Sequence, residues 1–273
     1  LSGDGGDELF GGYNRYLNSH KILKFNNLIP KYIKKILIKF LYILSPNIWN
    51  KLLYFLMTYY IFPKITLPGD KIYKIIGLIE KNNISDLYDF YISHWTKEDE
   101  PFIKDKNNDL LNEKYDFIDE NNFTTEMMYY DSQTYLPDDI LVKVDRASMA
   151  NSLETRAPFL NHKLVSFSNN IPVKYKLGKQ NKIILRDILS NYLPNELFNL
   201  PKSGFSMPLD LWLKNELKDW SLSLISKKDL DFYGHLDYKK IISIFDEHYK
   251  GHRNWNNKIW TVLMFQSWLK NNV

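Results

Sequence analysis

Apolar residues in this 273-residue chain recur three and four apart and hardly ever alternate, so helices have to supply its core. Ile184, Leu185, Ile188, Leu189 and Tyr192 mark one such helix. Leu209, Leu213, Leu217 and Trp220 give the buried face of another, with Pro208 where it can begin. Asn256 to Leu269 is apolar almost all round (Ile259, Trp260, Val262, Leu263, Phe265, Trp268), which predicts a core helix that needs no cofactor to explain its tryptophans. Only Leu1 reads as the tail of a strand. A Lys/Asn/Asp-rich passage from Lys97 to Asn122 breaks the periodicity and predicts an exposed loop or irregular insertion. With no internal repeat and no linker, the expectation is one domain.

The chain opens on LSGDGGDELFGGY, Leu1 to Tyr13, where Gly3, Gly5 and Gly6 allow sharp turns and Asp4, Asp7 and Glu8 concentrate negative charge. Such a loop repels a bare phosphate. It accepts one that carries Mg²⁺, because a hard cation bridges carboxylate and phosphate oxygens. The dinucleotide fingerprint fails because Glu8 stands where its third glycine belongs. The EF-hand pattern fails because Gly6 takes the ligand slot after Asp4. A metal–nucleotide loop and a plain glycine turn leading into a helix near Asp7 remain the two readings. There is no initiator methionine, so part of any such site is expected upstream.

Charge and composition narrow the partners. Thirty-six basic against 32 acidic side chains give a net charge of +4, which imposes no nucleic-acid partner. The absence of cysteine removes disulfides and thiolate chemistry from this segment. No leader is visible, and the expected location is cytoplasmic. Between Lys21 and Leu44, Lys24, Lys31, Lys34, Lys35 and Lys39 interleave with Ile33, Ile36, Leu37, Phe40, Leu41 and Leu44. That spacing predicts a basic amphipathic helix, a pattern shared with membrane-surface helices. Its lysines interrupt every window long enough to span a bilayer. The reading adopted is a helix packed by its apolar face on the domain, with its basic face in solvent.

Three further stretches carry chemistry. In Tyr135 to Leu160, Pro137 can open a helix with Asp138 and Asp139 in its first turn, and Ile140, Leu141, Val144 and Ala147 form an inward stripe. Asp145, Arg146, Glu154 and Arg156 flank that stripe and are read as a paired structural network at the edge of the core. Lys182 and Arg186 stand four apart, on one helix face, able to converge on an anion. Lys202 sits in a loop bounded by proline and glycine before a new helix, where it can clamp a phosphate, although an ordinary exposed loop lysine is the favoured reading of the residue by itself.

Together, SGDGGDELFGGY, LPDDILVKVDRASMANSLETRAPFL, K-x-x-L-R at Lys182 to Arg186 and LPKSGFSMPLDLWL resemble, in order, the C-terminal synthetase domain of the glutamine-hydrolysing asparagine synthetase family. The match is weakest from His20 to Thr125. The resemblance implies an α/β fold for the intact domain, of the PP-loop ATP pyrophosphatase (adenine nucleotide α-hydrolase-like) kind. It leaves this segment, residues 1–273, predominantly α-helical. It implies a ligase in which ATP activates aspartate as an acyl-adenylate and ammonia from an upstream glutaminase displaces AMP to give asparagine. Mg²⁺ and ATP are the implied cofactors, the partners are small molecules, and homodimerisation is possible. Ser2 and Gly3 would contact the nucleotide, with Lys182 and Arg186 as further ATP-binding candidates. Asp4 falls where asparagine-forming members carry a glutamate that binds the intermediate and accepts a proton from ammonia. Asp7 would be the Mg²⁺ ligand and Lys202 would stabilise the phosphates. The shorter Asp4 opens two alternatives: an amidotransferase acting on another carboxylate, in polysaccharide or secondary-metabolite biosynthesis, or a non-catalytic scaffold relative. The family's SGGxDS loop and cysteine nucleophile would lie upstream, so the isolated segment is expected to be inactive.

Overall fold

A computed structural model describes residues 1–59, 67–95, 100–101, 122–198 and 207–273. These residues are predominantly helical and contain no strand, as the spacing predicts. Their α-helices run α1 (Gly6–Phe10), α2 (Asn14–Leu28), α3 (Lys31–Tyr42), α4 (Pro46–Tyr59), α5 (Pro68–Glu80), α6 (Ile84–Ile92), α7 (Phe123–Gln133) and α8 (Val142–Met149). Then come α9 (His162–Asn169), α10 (Val173–Lys176), α11 (Ile183–Ser190), α12 (Leu209–Lys214), α13 (Lys218–Leu224), α14 (Lys227–Tyr233), α15 (Tyr238–Tyr249) and α16 (Asn256–Asn272). Of the irregular passage expected from Lys97 to Asn122, only residues 100, 101 and 122 are described. Lys202 also lies outside the described residues.

The chain divides into two compact units. One comprises Leu1–Leu28, Lys81–Tyr91 and the described part of Lys114–Lys202; the other comprises Ile29–Glu80, the described part of Ile92–Glu113 and that of Ser203–Val273.

In the first unit, α1 packs on α7, α9 and α11, and α2 packs on α7. Leu9, Phe10, Tyr16, Leu87, Tyr88, Met127, Met128 and Leu136 are buried. Among them lies a carboxylate, Asp131, which is fully buried on α7. Arg15 reaches Asp131 Oδ2 with Nε at 3.0 Å and a terminal nitrogen at 2.7 Å. The Tyr88 hydroxyl donates to Oδ1 at 2.8 Å, and the Tyr16 hydroxyl also donates to Oδ2. A charge removed from water survives only with this many donors. Burial, with Asp131 alongside, raises the Tyr16 hydroxyl well above its ordinary pKa, so it stays a donor. The Arg15 guanidinium also lies 4.3 Å from the centre of the Tyr13 ring.

In the second unit, Leu213, Ile225, Leu230, Ile241, Phe245, Ile259, Val262 and Leu263 form one core from α12 to α16. There α16 runs through the middle, as its all-round apolar sequence predicts, although Trp268 ends up exposed. Asp70 on α5 ties the earlier helices to this core. It accepts from the Asn254 backbone N–H at 3.0 Å and from Arg253 Nε at 3.4 Å.

Three expectations are corrected. The basic helix expected over 21–44 is two helices, α2 and α3, broken at Ile29–Pro30, because proline lacks an N–H and disfavours helix in the residue before it. The expected inward face of that stretch holds only in part, since Leu37, Leu41 and Leu44 are half-buried. Lys34 is buried, while Ile33, Ile36 and Phe40 are exposed. Pro208 does open a helix, but Leu209 and Leu213 belong to α12, and a second helix, α13, starts only at Lys218. The stripe expected to face inward after Pro137 is weaker than predicted. Leu136–Leu141 form a π-helical turn leading into α8, which has no fully buried residue, and α11 has none either.

Asp131→Asn removes the buried charge that Arg15 neutralises. It should lower unfolding stability by about 3–5 kcal/mol in urea titration. Fully buried His248, on α15, gives a second test. Burial, helped by nearby Lys214 and opposed by Asp210, pushes its pKa down to about 4. The folded value lies below the unfolded value, so the unfolded chain takes the proton first. The stability contribution is therefore whole above about pH 6.5 and drains away toward about pH 4. Urea midpoints measured across that window should fall, and should fall less in His248→Gln.

Candidate functional site

Three of the four sequence motifs meet at α1. The loop before it is fixed first. Gly5 sits at φ +85°, and a Cβ there would collide with the Leu160 side chain. Phe159 lies against Gly6. Two of the three loop glycines thus admit Phe159 and Leu160 of the second motif, and do not serve a ligand directly. Gly3 differs, since a Cβ there would meet nothing within 4 Å. The Ser2 N–H donates to the Arg156 carbonyl at 2.8 Å, completing the junction of the two motifs.

The third motif arrives at the other end of α1. The Asn181 side chain donates to the Gly12 carbonyl at 2.7 Å, and Lys182 Nζ lies 3.0 Å from Asp7 Oδ1. Both heads of that ion pair pass over Gly12, where any Cβ would run into the Asp7 carboxylate and the Lys182 chain. Lys182 is the N-cap of α11 and adopts the left-handed conformation, φ 55° and ψ 42°, one of three non-glycine residues described there. For a lysine that backbone is strained by about 1–3 kcal/mol.

Ser2, Asp4, Asp7 and Lys182 therefore share the surface around α1, all partly exposed. The Ser2 hydroxyl oxygen is buried and has no hydrogen-bond partner among the described residues. Asp4 makes no hydrogen bond or ion pair with a described residue. Glu8, the third carboxylate of the loop, points inward and is 2% exposed. It accepts from the Tyr13 hydroxyl at 2.6 Å, and burial raises its pKa. Burial, together with Glu8, likewise raises the Tyr13 hydroxyl. Glu8 is thus an anchor for α1, and only Asp4 and Asp7 face outward.

Arg186 does not join Lys182. Its guanidinium donates to the carbonyls of Asn181 at 3.0 Å and Phe198 at 3.3 Å, holding the turn that presents Lys182. Of the four residues read as a structural network, Glu154 and Arg156 pair with each other at the surface. Asp145 and Arg146 stand exposed on α8, with no ion pair to a described residue.

Sequence reasoning overlooked the support beneath the site: Asp131, Arg15, Tyr16 and Tyr88. Asp131 follows Met127 by four residues, so it sits on the apolar face of α7, and an acid on such a face signals a buried pair. Asn181 was also overlooked, and nothing in its sequence context marks it.

The surface around α1 fits a phosphate-bearing ligand with its cation. It offers an unpartnered buried hydroxyl, an open glycine, an ammonium and two outward carboxylates, Asp4 and the Lys182-paired Asp7. Among the described residues no group of three or more His, Cys, Asp or Glu could hold a metal. A cation here would share Asp7 with the ligand's own oxygens, as Mg²⁺ does.

Asparagine synthetase (glutamine-hydrolyzing) 1 of Bacillus subtilis is 31% identical over 275 aligned residues, 100% of this chain and 40% of that protein. Asparagine synthetase (glutamine-hydrolyzing) of Rattus norvegicus is 29% identical over 139 residues, 44% of this chain and 24% of that protein. A protein of Penicillium rubens named amidase chyE is 29% identical over 118 residues, 40% of this chain and 18% of that protein. The chain thus spans well under half the length of these relatives, and no solved structure matches it. Residues 1–270 match the family described as asparagine synthase, and on that match the chain belongs to the asparagine synthase family.

Proposed function

We propose that the protein containing this chain is an ATP-dependent, amide-forming ligase. It would activate the side-chain carboxylate of aspartate as an acyl-adenylate and transfer glutamine-derived ammonia to it, giving asparagine, AMP and pyrophosphate. The observation that carries this reading is the junction around α1, where the loop of Ser2, Asp4 and Asp7 meets Arg156 of a second motif through Ser2 and Lys182 of a third through Asp7.

The roles follow from the groups themselves. The Ser2 hydroxyl, buried and without a partner, is a donor in want of an acceptor, and a phosphate or ribose oxygen satisfies it. Gly3 leaves room for that approach. Asp7 would hold Mg²⁺, which when bound supplies positive charge to the pyrophosphate leaving group. The Lys182 ammonium offers a second positive charge beside Asp7, and Lys202, outside the described residues, is assigned a third by the resemblance alone. Asp4, free of partners, is the group able to take the proton that ammonia sheds once its nitrogen has bonded to the acyl carbon. The order is balanced. The carboxylate oxygen displaces pyrophosphate from the α-phosphate, then nitrogen displaces AMP, and the proton passes to Asp4.

A second reading keeps this chemistry and changes the acid. Asp4 is one methylene shorter than the glutamate of asparagine-forming members, and an amidase-named relative shares 40% of the chain. An amidotransferase that acts on another carboxylate fits both facts.

In the full-length protein, aspartate should stimulate ATP–pyrophosphate exchange. Response to a different acid alone would favour the second reading, and response to none would sink both. Lys202→Ala should slow exchange by about 10²–10³. Asp4→Asn should leave exchange largely intact while amide formation from ammonia collapses, and equal loss of both would remove Asp4 from the proton-acceptor role.

A further inference from the structure

The outward face of α3 is the largest feature the proposed chemistry leaves unused. Tyr32 is 75% exposed, Ile33 54%, Ile36 51%, Phe40 60% and Ile43, the helix C-cap, 71%. At about 100° per residue these five fall within an arc of roughly 100°. Leu37, Ile38 and Leu41 share the opposite side with buried Lys34, and α3 packs on α5. Exposed Lys35 and Lys39 border the arc, and exposed Lys31 begins the helix. On α4, Ile48, Leu52 and Phe55 are exposed at a spacing of four and three, with Lys51 exposed among them.

Charge identifies what this face fits. Between Glu8 and Asp70 the sequence contains no aspartate or glutamate at all. Exposed apolar residues also occur in the other unit, near α8 and α11, but there Asp138, Asp139, Asp145 and Asp187 stand exposed among them. Within α3 and α4 the exposed bulky aliphatic and aromatic side chains are accompanied by lysine as the one charged residue type, and Glu80 of neighbouring α5 acts on buried Lys34, on the opposite side of α3. An apolar arc bordered by basic residues is the form of a helix lying in the plane of an anionic bilayer, its lysines at headgroup level. No helix among the described residues is long and apolar enough to cross a membrane, so the contact would be with the surface.

We propose that α3, with α4 beside it in sequence, is a docking surface for anionic lipid. It would hold the protein at a membrane face through Ile33, Ile36, Phe40 and Ile43, with Lys31, Lys35 and Lys39 reading the headgroup charge.

The test is co-sedimentation of the full-length protein with vesicles of phosphatidylcholine alone or with 30% phosphatidylglycerol, at low and at high salt. Binding should require phosphatidylglycerol and weaken in high salt. Ile36→Asp with Phe40→Asp should cut it at least tenfold. Lys35→Gln and Lys39→Gln, which leave the apolar arc whole, should each cost about fivefold. An unchanged thermal melt would show that both sets of variants fold. Failure to pellet with phosphatidylglycerol vesicles overturns the proposal. So does equal pelleting on both vesicle types, or binding indifferent to these substitutions. A concentration-dependent dimer in light scattering that Phe40→Asp abolishes would assign the face to a second copy instead, and would likewise overturn it.

Discussion

A single buried carboxylate underlies the first unit. Asp131 sits on α7 with no access to water, and the three donors that make this tolerable come from two separate stretches of chain: Arg15 and Tyr16 on α2, and Tyr88 on α6. Each of those helices is therefore held in register by one shared acceptor. The Arg15 guanidinium extends the arrangement through the Tyr13 ring, whose hydroxyl in turn donates to Glu8 inside α1. The surface that carries Asp4 and Asp7 is the outer side of this arrangement. Its inner side is charge compensated by charge, and that gives the short helix α1 a fixed orientation that five residues of helix alone could not supply.

The grouping of the outward residues was partly legible in the sequence. Ser2, Asp4 and Asp7 belong to one short run, so they had to lie near one another, and Lys182 could be suspected from its motif. What could not be read was the company each keeps. Spacing placed Lys182 and Arg186 on one helical face, but Lys182 is the cap of α11 and not a member of its regular turns. The two heads therefore go to different acceptors. Glu8 looks like a third ligand carboxylate in the sequence. The helix turn that follows Gly5 rotates it into the interior, where Tyr13 meets it.

Periodicity failed where it measured amphipathicity without direction. The apolar stripe read from the spacing over 33–44 splits, with Ile33, Ile36 and Phe40 exposed and Leu37, Leu41 and Leu44 half-buried. The side of α3 that carries Leu37, Ile38 and Leu41 is the half-buried one, and α3 packs on α5. The core helix α16 was read without error in its inner face because an element apolar on nearly every side offers no wrong choice of rotation.

The backbone at Lys182 has a consequence for how this protein would respond to selection. Glycine, or asparagine less fully, adopts that left-handed conformation at lower cost than lysine. A library of variants screened only for thermal endurance would therefore drift toward glycine at codon 182. Screened for the nucleotide binding proposed above, the same library would keep the ammonium if Lys182 has that role. The two screens would part at this one codon, and the distance between their winners in melting temperature would measure how much stability the fold forgoes to keep a positive charge beside Asp7.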